Sequence, residues 1–142
     1  MTPDWHPPKY DLVRRRTRDE VNRDIDDITA RNLAAAGSEP HVIRQRLWAL
    51  DREWHIDRAL MAVFSLLGTV TAHRSFQSVR RGRRLSGWRL LFWTQMGFLL
   101  HHAVRGWCPP VAVLRRIGFR TAQEIAAERA ALQKRLATST GI

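Results

Sequence analysis

The strongest constraint on the fold of this chain is a long stretch without a single carboxylate. From Arg58 to Gln123 there is no Asp or Glu, but there are eleven arginines and the two most apolar runs of the sequence. The whole net charge of +11 arises in this stretch, because basic and acidic residues balance in the rest of the chain. A segment that is both apolar and free of carboxylates is typical of a membrane with anionic headgroups, and less often of a nucleic-acid surface.

The first apolar run comprises residues 59–72, which are uncharged and show no polar helical face. A helix that crosses the bilayer core needs about 20 residues, with about 17 as a lower limit. Counted from Trp54, the segment reaches this length, with Asp57 and Arg58 near its start. The run therefore predicts a short membrane span or, as the alternative, a buried helix of a soluble bundle.

The second apolar run comprises residues 87–104, in which the one charged residue is Arg89. Arg89 lies near the end of the run, where its side chain can extend toward lipid headgroups. Tryptophan is enriched at membrane–water interfaces, and three tryptophans lie at the ends of the two runs. We interpret these as interfacial anchors: Trp54, Trp88 and Trp107. Together the runs predict a two-helix membrane hairpin over residues 58–107.

The connection between the runs, residues 73–86, is polar and strongly basic. Four of its arginines are candidate contacts for anionic lipid, namely Arg80, Arg81, Arg83 and Arg84. A solvated loop is the simpler alternative. Nucleic acid is not expected as a partner, because binding surfaces for it interleave basic with aromatic residues and this loop does not.

The segments on either side of the hairpin predict further helices. We expect an irregular Pro-containing arm at 1–16, a cytoplasmic helical hairpin at 17–57, and a Cys-Pro-Pro turn followed by a helix within 108–142. Two capping boxes, Thr17 with Glu20 and Thr121 with Glu124, mark helix starts, and Ser38 is a candidate N-cap. The fold class is therefore all-α: a membrane helical hairpin, preceded by a cytoplasmic helical hairpin and followed by a short amphipathic helix.

Few residues are candidates for chemistry. Cys108 is the one cysteine, and Arg105 is near enough in sequence to lower a thiol pKa, so a reactive thiol is an alternative to a structural turn. His55, His101 and His102 fall at the same end of the hairpin. Adjacent histidines point about 100° apart on a helix, so a metal or haem site there is disfavoured. We expect no catalytic residues, no metal, no cofactor and no enzyme activity.

The sequence resembles the YgaP-like transmembrane domain family over about residues 54–136. The resemblance rests on Trp54-His55-Ile56-Asp57-Arg58, on the Trp-Cys-Pro-Pro turn at 107–110, and on the Leu-Arg-Arg-Ile-Gly segment at 114–118. It implies a two-helix membrane hairpin with both termini in the cytoplasm. Members occur alone or fused to a rhodanese sulfurtransferase domain. This chain has no rhodanese active-site loop, so sulfur transfer is not implied.

The combined prediction is a small non-enzymatic inner-membrane protein that acts as an accessory or scaffold subunit through helix packing. Its expected partners are membrane lipid and either other membrane-protein subunits or further copies of itself. Alternatives are a peripheral basic protein that binds anionic lipid or nucleic acid, and a sulfur-handling or redox component that uses Cys108. Eight arginines flank the runs on the terminal side against five in the connection, which favours cytoplasmic termini. A shallow hairpin that enters one leaflet and returns is the alternative topology.

Overall fold

The computed structural model describes residues 5–83 and 86–140, and every regular element in them is helical. The helices are α1 (Leu12–Arg15), α2 (Asp19–Ala36), α3 (Pro40–Leu50), α4 (Ile56–Arg80), α5 (Gly87–Arg105), α6 (Pro109–Arg116) and α7 (Ala122–Thr140). The predicted all-α fold class is confirmed over this part of the chain. The helices form a compact bundle of α2, α3 and α7, from which a hairpin of α4 and α5 projects.

The hairpin is made of two continuous antiparallel helices that pack on each other. The N-cap of α4 is His55, whose Nδ1 accepts a hydrogen bond from the backbone N–H of Arg58 at 3.4 Å. The prediction of a loop over 73–86 was wrong in its first half, because α4 continues to Arg80. No Gly or Pro lies between Gly68 and Gly82, so nothing in the sequence ends the helix at residue 72, where the apolar run stops.

The bundle core joins three helices that are distant in sequence. Leu33 from α2, Ile43 and Leu50 from α3, and Ile125 and Leu132 from α7 share one buried apolar cluster. The α7 helix packs on α3 along much of its length. It is therefore part of the bundle core and not a separate tail. The helical hairpin predicted at 17–57 is completed by a helix from the other end of the chain.

A second apolar cluster lies where the hairpin meets the bundle, a region called the base of the hairpin below. Ile56, Leu60 and Phe64 of α4 pack there against Cys108 and Val111 of the α6 region. The N-terminal segment contributes Val13 to this cluster, and Trp5 to the bundle core. The segment predicted as an irregular arm therefore packs into both clusters, and it contains the short helix α1.

The predicted helix starts have different outcomes. At α7 the Thr121 N–H donates to Glu124 Oε2 at 2.9 Å, and the Glu124 N–H donates to Thr121 Oγ1 at 3.1 Å, which is the predicted capping box. At α2 the prediction was wrong: Arg18 is the N-cap, and the Thr17 hydroxyl donates to the carbonyl of Val13. At α3 the N-cap is Glu39 and not Ser38.

Candidate functional site

The exposed surface of the hairpin is its most unusual feature. Buried positions on α4 recur at Ile56, Leu60, Phe64, Gly68 and Thr71, a spacing that places them on one face of the helix. That face packs on α5 and, near the base, on the α6 region, whereas most of the remaining circumference of α4 is exposed. Only 22% of its apolar segment is buried. The hairpin therefore buries one seam and leaves the remaining faces uncovered.

The uncovered faces are apolar. We name the exposed side chains of the middle of the hairpin the apolar belt: Met61, Val63, Leu66, Leu67 and Val70 on α4, and Leu90, Leu91, Trp93, Leu100 and Val104 on α5. Leu66 is 69% exposed and Leu90 is 72% exposed. Soluble monomers rarely expose a contiguous apolar patch larger than a few hundred Å². The belt is therefore a surface built for an apolar environment or for a protein partner.

The seam between α4 and α5 contains one buried polar pair. Gln95 is the one buried residue of α5, at 7% exposure, and its Nε2 donates to Thr71 Oγ1 at 2.6 Å. The Thr71 hydroxyl in turn bonds the carbonyl of Leu67 at 2.8 Å, one helical turn back. Hydrogen bonds between helices stabilise helix pairs in apolar surroundings by roughly 0.6–2 kcal/mol. The pair ties α4 to α5 without exposing polar atoms on the belt.

Arginines bound the uncharged stretch of each helix at both ends. No residue carries a formal charge between Arg58 and Arg74 on α4, or between Arg89 and Arg105 on α5. At a rise of 1.5 Å per residue each interval measures about 24 Å. This is somewhat less than the ~30 Å hydrocarbon thickness of a bilayer, a difference that arginines at helix ends can cover by extending outward.

Aromatic rings accompany these arginines at each end of α4. The guanidinium of Arg58 lies over the Trp54 ring at 4.6 Å, and that of Arg74 lies over the Trp88 ring at 5.6 Å. Both tryptophans expose much of their surface, as interfacial anchors do. Trp107 differs, because it packs against the apolar cluster at the base. The structure thus brings together an arginine and a predicted anchor at both ends of the belt.

One helix of the hairpin meets the length and hydropathy of a membrane span. Within the part of the chain that the structure describes, α4 is the helix long and apolar enough to cross a bilayer. The α5 helix also has an uncharged middle, but it contains Gln95, His101 and His102, which lower its hydropathy. Among the described residues, no second span meets this criterion.

The predicted lipid contacts lie at the far end of the hairpin, called the tip below. Arg80, Arg81 and Arg83 are exposed there, and Arg80 lies 6.0 Å from the Phe76 ring. Arg84 lies outside the described residues. The structure thus brings three of the four predicted arginines to one place, close to the first turn of α5.

A buried ion network joins the base of the hairpin to the bundle, and sequence reasoning missed it. Glu124 is fully buried and accepts from Arg115 twice, at 2.5 and 2.9 Å. The second Arg115 nitrogen also donates to Asn22 Oδ1 at 2.7 Å. Arg14 donates to Glu124 at 3.0 Å and pairs with Asp26. Hydrogen bonds from Arg115 keep the pKa of Glu124 below its ordinary value, although burial alone would raise it.

One turn along α7, Glu128 forms the second half of this network. It is fully buried, pairs with Arg120, and accepts from Arg46 Nε at 2.7 Å. Arg120 also donates to both oxygens of Glu53, at 2.7 Å each. Burial lowers the pKa of Arg120, but its bonds to Glu53 and Glu128 raise it above the ordinary value overall. The one signal in the sequence was the spacing of Glu124 and Glu128, which places both carboxylates on one face of α7.

Cys108 lies at the centre of the basal cluster and is fully buried. Burial raises the pKa of its thiol, an effect that the backbone N–H of Val111 only partly opposes. A thiolate is the nucleophilic form of cysteine, so these surroundings do not activate it. The geometry gives no support to a reactive thiol. It also corrects the predicted Cys-Pro-Pro turn, because Cys108 is the N-cap of α6 and both prolines lie in the first turn of that helix.

The histidines do not form a metal cluster with Cys108. His102 Nε2 lies 3.1 Å from Asp57 Oδ1, and His55 Nδ1 lies 3.7 Å from the other oxygen of the same carboxylate. His101 is exposed on another side of α5. No group of three or more His, Cys, Asp or Glu suited to a metal ion occurs in residues 5–83 and 86–140.

Comparison of this chain with protein-family models, with curated proteins and with solved structures gives no match. The geometry of the hairpin and its base therefore carries the functional argument alone.

Proposed function

We propose that this chain is a small inner-membrane protein whose α4–α5 hairpin crosses the bilayer, and which acts without catalysis as an accessory or scaffold subunit. The observation that carries the proposal is the apolar belt. It surrounds the hairpin on the faces that the protein leaves uncovered, and charged residues bound it at both ends. An apolar environment about as thick as a bilayer core is the surrounding that matches this pattern.

The size of the belt supports lipid over water. Moving a large apolar side chain from water to an apolar medium gains roughly 1.5–3 kcal/mol. Ten such side chains, each partly exposed, give a preference on the order of 10 kcal/mol. A soluble bundle of this size would expose that apolar surface to water, and such exposure strongly favours aggregation.

The uninterrupted length of the two helices supports a complete crossing of the bilayer and not a shallow hairpin. In a shallow hairpin the chain turns back inside one leaflet, so its polar turn remains on the side from which it entered. Here Arg80 at the tip lies about 33 Å along the axis of α4 from Arg58 at the base. A shallow insertion would leave either the belt in water or the basic tip in hydrocarbon.

The scaffold role follows from what the remaining surface offers. The buried ion network and the Cys108 cluster hold the bundle to the base of the hairpin, so the bundle is attached directly to the proposed membrane anchor. The exposed side chains of α4 and α5 provide apolar faces for packing against another membrane helix. We propose other membrane-protein subunits or further copies of this chain as partners, and YgaP-like relatives as its family.

Substitution of Leu66 by Arg tests the membrane assignment. Leu66 is exposed in the middle of the belt, so the change removes no packing contact within the protein. A charge at the bilayer centre costs roughly 2.5–3.5 kcal/mol on the insertion scale. We expect the parent to stay in the membrane pellet after carbonate extraction, and L66R to be lost from it.

The matched control is Val79→Arg, which adds the same charge to an exposed residue near the basic tip. It should fractionate like the parent. If L66R also fractionates and folds like the parent, Leu66 lies in water and the membrane proposal is wrong. Release of the parent itself by carbonate would contradict the proposal directly.

A further inference from the structure

The tip of the hairpin contains a cleft that the membrane anchor by itself does not explain. It opens between the last turns of α4 and the first turn of α5 and has a volume of about 880 Å³. Its described wall consists of Ser78, Arg81, Arg83, Ser86, Gly87, Trp88 and Leu91. Clefts of roughly 300–1,000 Å³ are the size of ordinary small-molecule sites.

The polar wall of the cleft is suited to a phosphate group. Arg81 and Arg83 provide two guanidinium groups, and Ser78 and Ser86 provide two hydroxyls. Arg81 and Arg83 form no ion pair with a carboxylate of the described chain. Guanidinium groups form charge-assisted, often bidentate hydrogen bonds with phosphate oxygens. The cleft therefore presents positive charge that no carboxylate of residues 5–83 and 86–140 compensates.

The arginines of the base make an informative contrast. Arg115 and Arg120 are arginines like those at the tip, but each is buried against a glutamate of α7. Their positive charges are compensated within the protein. Phosphate binding is therefore expected at the tip and not at the base, although both regions are rich in arginine.

The apolar wall of the cleft decides which phosphate compound fits. Trp88 and Leu91 line the cleft, and Leu91 belongs to the apolar belt. The cleft thus opens from its basic wall directly onto the apolar surface of the hairpin. A molecule that fills both walls has a phosphate group and an apolar chain, which is the chemistry of a phospholipid and not of a free phosphate or a nucleotide.

We propose that this cleft binds the phosphate headgroup of one anionic phospholipid, from the leaflet at the tip. The headgroup lies against Arg81 and Arg83, and an acyl chain runs along Trp88 and Leu91. The inference rests on the membrane hairpin proposed above. It goes beyond that anchor because it assigns a defined site and a selectivity for one class of lipid.

Native mass spectrometry of the full chain in nonionic detergent tests the site. The probes are dioleoyl phosphatidylglycerol, dioleoyl phosphatidylcholine and soluble glycerol 3-phosphate. We expect one phosphatidylglycerol to bind in preference to phosphatidylcholine, and an excess of glycerol 3-phosphate not to displace it. The double variant R81Q/R83Q should bind phosphatidylglycerol about 25-fold more weakly, from the usual contribution of each arginine near an anionic surface.

Two further variants separate a defined site from general charge attraction. R23Q/R31Q removes the same charge from exposed arginines of α2 and should bind phosphatidylglycerol like the parent. Gly87→Leu keeps the charge but adds bulk to the cleft wall, where a Cβ meets no atom within 4 Å. It should weaken binding without unfolding the protein, as judged from circular dichroism.

Equal loss in both double variants, or no loss in R81Q/R83Q, would overturn the site. Displacement by glycerol 3-phosphate at the same concentration as the lipid would replace the phospholipid with a soluble phosphate ligand, and so overturn the proposal as stated. Carbonate extraction of the same preparations keeps the two proposals apart. A protein that stays in the pellet but shows no preference for phosphatidylglycerol contradicts the cleft alone, whereas release by carbonate contradicts the membrane hairpin as well.

Discussion

At the scale of single residues, the arginines of this chain have two distinct roles that composition cannot separate. Arg115 is fully buried, and its charge is compensated by Glu124. Arg81 and Arg83 are exposed and have no carboxylate partner in the described chain. A buried ion pair adds little net stability, but removal of one partner leaves an uncompensated charge and is strongly destabilising. The stability of the fold therefore depends on the acidic partners at the base.

Glu124→Gln is predicted to destabilise the protein and to change its response to acid. The variant leaves Arg115 buried without its counter-charge, which costs about 3–5 kcal/mol. In the parent, the pKa of Glu124 is lower in the folded state than its ordinary value of 4.5. Its stabilising contribution is therefore complete above that ordinary value and is lost as the pH falls through the folded pKa.

Thermal unfolding in detergent, followed by circular dichroism over a range of pH, measures both effects. E124Q should melt lower than the parent at neutral pH, and its melting temperature should fall less steeply below pH 4.5. The control is Glu20→Gln on the exposed first turn of α2, which should match the parent. An E124Q variant as stable as the parent would contradict the role assigned to the network.

At the scale of elements, the entry and exit of each helix set how the hairpin meets the bundle. The α5 helix ends at Gly106, which has a φ of +65° in the left-handed region that favours glycine. A Cβ there would also lie 3.0 Å from Cδ1 of Leu12. The chain can therefore turn from α5 toward Cys108 only because this position carries no side chain.

The two glycines Gly106 and Gly68 make a matched pair for substitution by alanine. At Gly106 the left-handed backbone and the contact with Leu12 predict a loss of about 1–2 kcal/mol. At Gly68, inside α4, a Cβ would meet Gln95 Nε2 at 3.6 Å, which is ordinary contact, and alanine favours helix over glycine. Melting temperatures in detergent should therefore fall for G106A and stay the same or rise for G68A. The reverse order would show that the hairpin seam, and not the exit of α5, is the tighter site.

At the scale of the whole molecule, the structure is a charged bundle attached to an apolar hairpin, and the proposed membrane crossing allows two orientations of the bundle. Eight arginines flank the hairpin on the side of the bundle, against five in the sequence that connects the runs. Arg115 and Arg120 belong to the eight and are ion-paired in the folded protein. Topology is set by basic residues counted at insertion and not by net charge, so the count still favours a cytoplasmic bundle.

Single cysteines at Arg83 and Ser38, both exposed, test the orientation. The parent is a suitable background because its one thiol, Cys108, is fully buried and should not react. A membrane-impermeant maleimide added to intact cells should label R83C and not S38C, and both should be labelled after lysis. Labelling of S38C alone would reverse the orientation. Protection of both sites until lysis would support a hairpin that does not cross.

Local patterns in the sequence were sufficient to predict the helical class, the two apolar runs and the start of α7. Each of these depends on residues near each other in the chain: the uncharged run at 59–72, the glycines that end helices, and the Thr121–Glu124 capping box. The same reasoning failed at Thr17, whose hydroxyl bonds the carbonyl of Val13 in the preceding turn. A local signal therefore fails where another local hydrogen bond competes for the same side chain.

Only the tertiary structure decided which face of each helix is buried and which helix it packs against. The periodicity of α7 shows an apolar stripe, but it cannot show that the stripe packs on α3, far back in the sequence. The pairing of Arg115 with Glu124 and Asn22 likewise requires three separate segments of the chain to meet. From the sequence alone, arginines that form a buried ion network cannot be distinguished from arginines that remain exposed to solvent. The apolar belt shows the same division: its residues can be read from the sequence, but only the packing of α4 on α5 determines which of them remain exposed.

The sequence by itself therefore determined the elements and their polarity, because those depend on neighbours along the chain. Folding determined burial, ion pairing and the uncovered surface, because those depend on neighbours in space.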